Sequence, residues 1–212
     1  MTKYKNCTDY WLDKDNMSLR GDFEQMYKDI DDPWGCKKYK DSLNNKLFCE
    51  TIFFNKKHYK NILDIGSALG DLTNNLYKYN KGGKVTGWEI SKTAKEKSSK
   101  KYPYINFENR NILKDNFSEK YSLINLSEVL WYLLDDLESV FHKIYEALDC
   151  NGIFSIHQYF PKDQKYGKEV INGLEGFENF IEENTRFTFL NKLVSYDNDD
   201  KVLLALFKKK EK

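Results

Sequence analysis

The stretch Asn61-Ile62-Leu63-Asp64-Ile65-Gly66-Ser67-Ala68-Leu69-Gly70 constrains this chain more than any other. An apolar run meets two glycines and then a helical pattern that begins near Asp71-Leu72-Thr73. A strand that turns through glycine directly into a helix belongs to an open, mostly parallel sheet. Gly66 permits a tight turn, and Gly70 lets a ligand or a strand approach the backbone closely. In a doubly wound sheet this first turn lies at the carboxyl edge, where nucleotide-like ligands bind. The next strand-like run, Lys84-Val85-Thr86-Gly87-Trp88-Glu89-Ile90, ends in an acid about twenty residues beyond the loop. A carboxylate at that place can accept hydrogen bonds from both ribose hydroxyls of an adenosine.

The rest of the chain agrees with such a sheet. Apolar runs predict strands at about 61–65, 84–90, 104–108, 121–126, 152–158, 185–195 and 201–208. Helical patterns near 69–79, 91–101 and 136–149 lie between the first five. The last two strands are joined by Asp197-Asn198-Asp199-Asp200 and read as an antiparallel hairpin at one sheet edge. Upstream, Phe23, Met26, Tyr27 and Ile30 share one helix face, which Asp32-Pro33-Trp34-Gly35 brings to an end. A second helix, roughly 41–54, carries Leu43, Leu47, Phe48 and Ile52. The expected organisation is a single domain, with residues 1–58 as a helical lid region and 59–212 as the core.

Charge excludes some functions. The chain has 34 basic and 33 acidic residues, a formal +1, so no electrostatic footprint for nucleic acid or an acidic membrane stands out. The basic helix with Lys92, Lys95, Lys97, Lys100 and Lys101 reads as a solvated face. Cys7, Cys36, Cys49 and Cys150 form no C-x-x-C pair, and with three scattered histidines they give no metal-ligand spacing. Four reduced thiols and a cytoplasmic location are expected. The first residues, Met1 to Asn6, lack an apolar leader core, and no apolar run approaches membrane-spanning length.

The glycine loop distinguishes between cofactors. A pyridine-nucleotide enzyme carries G-x-G-x-x-G and seats a pyrophosphate at the helix N-terminus. Here the loop reads G-x-A-x-G followed by Asp71, an acid where the phosphate would sit. In Leu63 to Gly70 the chain resembles the first motif of class I S-adenosylmethionine-dependent methyltransferases, usually D-x-G-x-G-x-G, with Ala68 at the middle glycine. The resemblance covers roughly residues 60–160 and implies a Rossmann-like α/β fold. That fold is a seven-stranded, mostly parallel sheet with helices on both faces and a reversed C-terminal hairpin. It also implies S-adenosylmethionine as cofactor. Asp64 would bind the methionine ammonium side, Gly66, Ser67 and Gly70 would pass under the methionine and ribose, and Glu89 would hold the ribose. Asn111 stands where the family often has an Asp for the adenine amino group, and its amide can still accept that bond. Ile90 and Ile112 would sandwich the adenine ring.

Tyr121-Ser122-Leu123-Ile124-Asn125-Leu126-Ser127-Glu128-Val129-Leu130-Trp131-Tyr132 resembles the fourth-strand motif of small-molecule methyltransferases, and Ser127 joins the implied cofactor set. The D-P-P-Y and N-P-P-Y signatures and a Pro-Cys nucleophile are absent from the sequence, which turns the reading away from nucleic-acid and glutamine-amide substrates. Met26-Tyr27 with Asp32-Pro33-Trp34-Gly35 resembles nodulation-factor N-methyltransferases, whose N-terminal helices cover the cofactor. That points to a sugar or amino sugar as acceptor. Trp34 reads equally as a lid residue or as an aromatic pinning its helix.

Methyl transfer from a sulfonium is a direct displacement; an amine must arrive deprotonated, and a hydroxyl needs a general base. Candidate bases are His157, Glu128, Tyr132 and Tyr159, with His157 first because an ordinary imidazole titrates near neutrality. Against this, His157 also reads as a satisfied strand histidine, Glu128 as a local cap, and Trp131 with Tyr132 as core. Two other functions fit the layout: an NAD-dependent oxidoreductase, which the loop disfavours, and a non-catalytic methyltransferase-like partner subunit. Oligomeric state has no signature in the sequence.

Overall fold

The computed structural model describes residues 4–35, 43–54 and 56–210. Cys36 and the first residues of the helix expected from 41 lie outside them, as do Met1, Thr2 and Lys3. Seven strands form one sheet: β3 (Asn61–Ile65), β4 (Lys84–Glu89), β5 (Asn106–Asn109), β6 (Tyr121–Ser127), β7 (Leu148–Phe160), β8 (Phe187–Asp197) and β9 (Asp200–Lys209). Their order is β5-β4-β3-β6-β7-β9-β8. The pairs β4–β5, β3–β6 and β6–β7 are parallel, while β7–β9 and β8–β9 are antiparallel. The hairpin closes through Asn198 and Asp199, with Asn198 at φ 56°, a conformation that asparagine tolerates better than most residues. Two short strands, β1 (Leu12–Asp13) and β2 (Ser18–Leu19), pair with each other upstream.

The chain forms two compact units, Met1–His58 with Gly66–Asn111, and Tyr59–Ile65 with Ile112–Lys212. The N-terminal helices fall in the unit that holds the glycine loop, β4 and β5.

In the first unit, α1 (Thr8–Trp11), α2 (Phe23–Asp29) and α3 (Leu43–Phe53) precede α4 (Asp71–Tyr79) and α5 (Lys92–Lys101). Helix α2 ends at Asp29, short of the Asp32-Pro33 turn. Its face is the expected one: Met26 and Tyr27 are buried with Tyr10, Leu69 and Ala94, and Phe23, Ile30, Trp34 and Ala68 pack against that cluster. On α3, Phe48 and Ile52 are buried, whereas Leu47 remains exposed. Two of the five lysines of α5 are not simply solvated: Lys97 donates to the Tyr27 carbonyl, and Lys101 meets both oxygens of Asp71 at 2.7 Å.

In the second unit, α6 (Leu137–Ala147) and α7 (Gly173–Asn184) accompany β3, β6, β7, β8 and β9. The buried stripe Leu137, Val140, Phe141, Ile144 follows the helical period. Phe141 sits edge-on to Phe154, Phe180 and Phe187, ring centroids 5.3–6.2 Å apart, so aromatic packing holds this helix in its unit. The turn read at Asp149-Cys150-Asn151-Gly152 is instead an irregularity within β7. Leu148 pairs with Tyr121 and Ile153 with Leu123, so the intervening residues are extra. A Cβ on Gly152 would come within 3.0 Å of the Tyr121 carbonyl oxygen, which is why glycine stands there. Among the described residues no helix is long and apolar enough to cross a membrane.

Candidate active site

The glycine loop is built from backbone bonds that leave little for a phosphate. Gly66 and Ser67 both donate their N–H to the Trp88 carbonyl at 2.8 and 3.0 Å, and Gly70 donates to the Ser67 carbonyl. Gly66 (φ 75°), Ala68 (φ 48°) and Gly70 (φ 80°) all adopt the left-handed region. Ala68 holds it without the freedom of glycine, a cost of about 1–2 kcal/mol.

Glu89 closes the cradle. It is 4 % exposed; its Oε2 accepts from Ala68 N–H and its Oε1 from Ser91 N–H, each at 2.8 Å. Two amides thus fix the carboxylate. Within the same loop the Ser67 hydroxyl is buried and has no hydrogen-bond partner. A buried orphan beside a fixed carboxylate marks a place where a polar ligand group completes the bonding. Ile90, just beyond, is 47 % exposed and offers an apolar face. Asn109 donates to the Glu89 and Ile90 carbonyls and so sets the path of this segment, while Asn111 is half-buried. Trp34 donates from Nε1 to the Tyr27 hydroxyl at 2.9 Å and packs against the cluster that includes Ala68. It is anchored in the wall behind the loop.

The electrostatic reason for excluding a dinucleotide needs correction. The Asp71 carboxylate is buried and held at 2.7 Å by Lys101 Nζ and the Tyr102 hydroxyl, so its charge is compensated. What disfavours a pyrophosphate is the prior use of the loop amides at Gly66, Ser67, Ala68 and Gly70.

The second unit presents a different set at the carboxyl ends of its strands. Asp64 is 2 % exposed and accepts from Asn125 Nδ2 at 2.7 Å; Asn125 Oδ1 accepts from Ser155 Oγ at 2.9 Å. These three residues are in register across β3, β6 and β7, a polar stripe inside apolar strands that positions Asp64. Ile112 is buried, its carbonyl accepting from Lys143. Ser127 Oγ lies 3.1 Å from His157 Nδ1. Glu128 has φ 57°, strain of the kind stored at functional positions. Its N–H donates to the His157 carbonyl, and its Oε2 accepts from Gln158 Nε2 and Tyr159 N–H.

The reason for placing His157 first does not hold, because burial pushes its imidazole down to about 4. Protein packed around Glu128 instead pushes its carboxyl up to about 7. Solvent still reaches 44 % of that side chain and screens part of the effect, so it is the upward direction that matters. Tyr132 lies half-buried on the short 3-10 turn Leu130–Tyr132. Trp131 donates to the Tyr159 carbonyl and stacks edge-on against Phe160, and the Tyr159 hydroxyl bonds Asp200, so both aromatics are structurally held. The described residues contain no group of three or more His, Cys, Asp or Glu able to hold a metal ion.

Sequence reasoning overlooked Asn125, Gln158 and Glu24. The first two had a visible signal, an amide interrupting an apolar strand. Glu24 had none.

A family model described as a methyltransferase domain matches residues 63–154, which spans the glycine loop, Glu89, Ser127 and Glu128. The match takes in less than half of the chain. No curated protein matches the chain. Among solved structures it is similar to the N-methyltransferase NodS from Bradyrhizobium japonicum WM9 in complex with S-adenosyl-L-homocysteine. That likeness has a TM-score of 0.71 and 20% identity, over 86% of this chain and 94% of that one. It is also similar to an S-adenosylmethionine-dependent methyltransferase from Clostridium acetobutylicum ATCC 824, with a TM-score of 0.63 and 14% identity over 83% and 98% of the two chains. A third is the plantazolicin methyltransferase BpumL in complex with a pentazolic desmethylPZN analog and SAH, with a TM-score of 0.65 and 15% identity over 87% and 93% of the two chains. At these identities the likeness establishes the fold.

Proposed function

We propose that the chain is an S-adenosylmethionine-dependent methyltransferase acting on an amine or hydroxyl of a small molecule, with an amino sugar as the acceptor class to test first. The observation that carries this is the cradle of Glu89, Ala68 and Ser67 inside the matched methyltransferase segment: a fixed carboxylate, an orphaned hydroxyl and a loop whose amides are spent. That set suits an adenosine without phosphates. Asp64, placed by Asn125, would take the ammonium of the methionine part, Glu89 the ribose hydroxyls, and Ile90, Asn111 and Ile112 the adenine. When bound, the cofactor would supply a methyl carbon on a sulfonium, to which the acceptor's lone pair would bond as the carbon–sulfur bond breaks and SAH leaves. The protein's share is alignment and exclusion of water.

Glu128 is the residue to hold the acceptor's proton. Its carboxyl, raised by its surroundings and steadied by Gln158 and Tyr159, attracts an ammonium and takes a proton from it near neutral pH. His157, kept neutral, supports Ser127. The similarity to NodS, a protein named as an N-methyltransferase, favours the amine over the hydroxyl.

The test follows SAH formation from S-adenosylmethionine across matched panels of amino sugars, simple amines and their hydroxyl counterparts. Turnover restricted to hydroxyl compounds would overturn the amine reading. With an active acceptor, kcat is expected to rise with pH along a limb displaced above the ordinary carboxylate range, because the base works only when deprotonated and burial raises the carboxyl of Glu128. Glu128→Gln should remove that limb and lower kcat by on the order of 100-fold. The same limb persisting in Glu128→Gln excludes Glu128 as the base.

A further inference from the structure

Glu24, on α2, reaches the other end of its unit's sequence. Its Oε2 accepts from Ser91 Oγ at 2.8 Å and from Thr93 N–H at 3.1 Å, and its Oε1 accepts from Thr93 Oγ1 at 2.8 Å. These donors form the first turn of α5, where Ser91 is the N-cap and its hydroxyl in turn accepts from Ala94 N–H. An acid there also meets the positive end of the helix. The bonds hold its carboxyl down to about 2 against the cost of burial, so it stays ionised throughout the neutral range. Lys28, one turn away on the same helix, lies 3.3 Å from Oε1.

Ser91 is also the residue whose N–H fixes Glu89 Oε1. One residue therefore links two carboxylates: its hydroxyl donates to Glu24, and its amide donates to Glu89. Met26 and Tyr27 of α2 are buried in one cluster with Tyr10, Leu69 and Ala94, and Ala68, whose amide holds the other oxygen of Glu89, packs against that cluster. Helix α2 thus reaches, through the Ser91 hydroxyl, the residue whose amide orients one oxygen of Glu89, and it shares a buried cluster against which Ala68, the donor to the other oxygen, packs.

We propose that Glu24 is a positioning residue for the cofactor: through Ser91 it sets the Glu89 carboxylate, and so makes the N-terminal helix part of the ribose site. The proposal rests on the reading of Glu89 as the ribose ligand. A carboxylate displaced by a fraction of an ångström loses directional bonds to two hydroxyls at once.

The test is calorimetric binding of SAH to the full chain and to Glu24→Ala, Glu24→Gln, Ser91→Ala and the double variant Glu24→Ala/Ser91→Ala. All are measured at a temperature where circular dichroism shows them folded. Glu24→Ala should weaken SAH binding about tenfold, the loss of one charge-assisted bond. Glu24→Gln keeps one acceptor oxygen and should fall between. The double variant should bind about as weakly as Glu24→Ala alone, because both act through one link. A merely structural Glu24 would lower the melting temperature and leave the Kd of the folded protein unchanged, which overturns the proposal. Should Glu24→Ala not fold, Thr93→Ala removes a single bond to the same carboxylate and is expected to weaken binding several-fold. If the unaltered chain does not bind SAH, the proposed function fails and takes this inference with it. If it binds and Glu89→Ala does not, while Glu24→Ala matches the unaltered chain, only the positioning role fails.

Discussion

Glu89→Ala is expected to weaken SAH binding by about 100-fold or more. Each hydrogen bond from a ribose hydroxyl to this carboxylate is of the kind worth about 1.5–3 kcal/mol, and two are lost together. Every 1.4 kcal/mol is about a factor of ten. The substitution also strands the Ala68 and Ser91 amides, which now donate to the two oxygens at 2.8 Å, so the loop loses its shape as well as its ligand. Glu89→Gln keeps one acceptor oxygen and should lose less affinity than Glu89→Ala. Calorimetric titration of SAH into both variants checks this; an affinity for Glu89→Ala within threefold of the unaltered chain would remove Glu89 from the site.

The largest expected effect on stability comes from Gly87→Val. A Cβ at Gly87 would meet Phe107 Cδ1 at 2.6 Å, Phe107 Cε1 at 2.8 Å and Ser67 Cβ at 2.9 Å. The Phe107 ring cannot simply turn aside, because its far edge already fills the open side of Gly70, where a Cβ would meet Cζ at 2.7 Å. Phe107 is buried, so overpacking here should cost about 3 kcal/mol, and the added methyls of valine make it worse than alanine. For a chain of this size that is a fall in melting temperature of about 6–12 °C. Thermal unfolding of Gly87→Val, alone and combined with Phe107→Leu, measures it. The smaller ring-free side chain should recover part of the loss, a non-additivity expected of residues in contact. A Gly87→Val protein as stable as the original would mean that the ring and the loop are not packed this way.

How much of this was readable beforehand depended on how local the cause was. The strand–glycine–helix run from Asn61 to Gly70 and the acid at Glu89 are short-range patterns, and the structure places them at one loop as expected. The strands were legible for the same reason, including the hairpin about Asn198. The start of β7 was not: Asp149-Cys150-Asn151-Gly152 has turn chemistry, but pairing of Leu148 with Tyr121 overrides it. Charge compensation at Asp71 depends on Lys101, thirty residues away, and the Glu24–Ser91 bond spans sixty-seven. No periodicity reports such contacts. The opposite shifts of His157 and Glu128 have the same origin, since ordinary side-chain pKa values apply only until burial acts on them. Asn125 could have been found: an amide between Ile124 and Leu126 in an apolar strand needs a partner, and Asp64 is that partner.

The most direct test of the central claim is equilibrium binding of SAH and of NAD to the unaltered chain by calorimetry. The account predicts saturable binding of SAH at one site per chain and no heat from NAD, because the loop amides that would cradle a pyrophosphate are already bonded within the protein. Saturable binding of NAD without SAH would contradict it, and no binding of either would show that the cradle around Glu89 does not serve an adenosine cofactor.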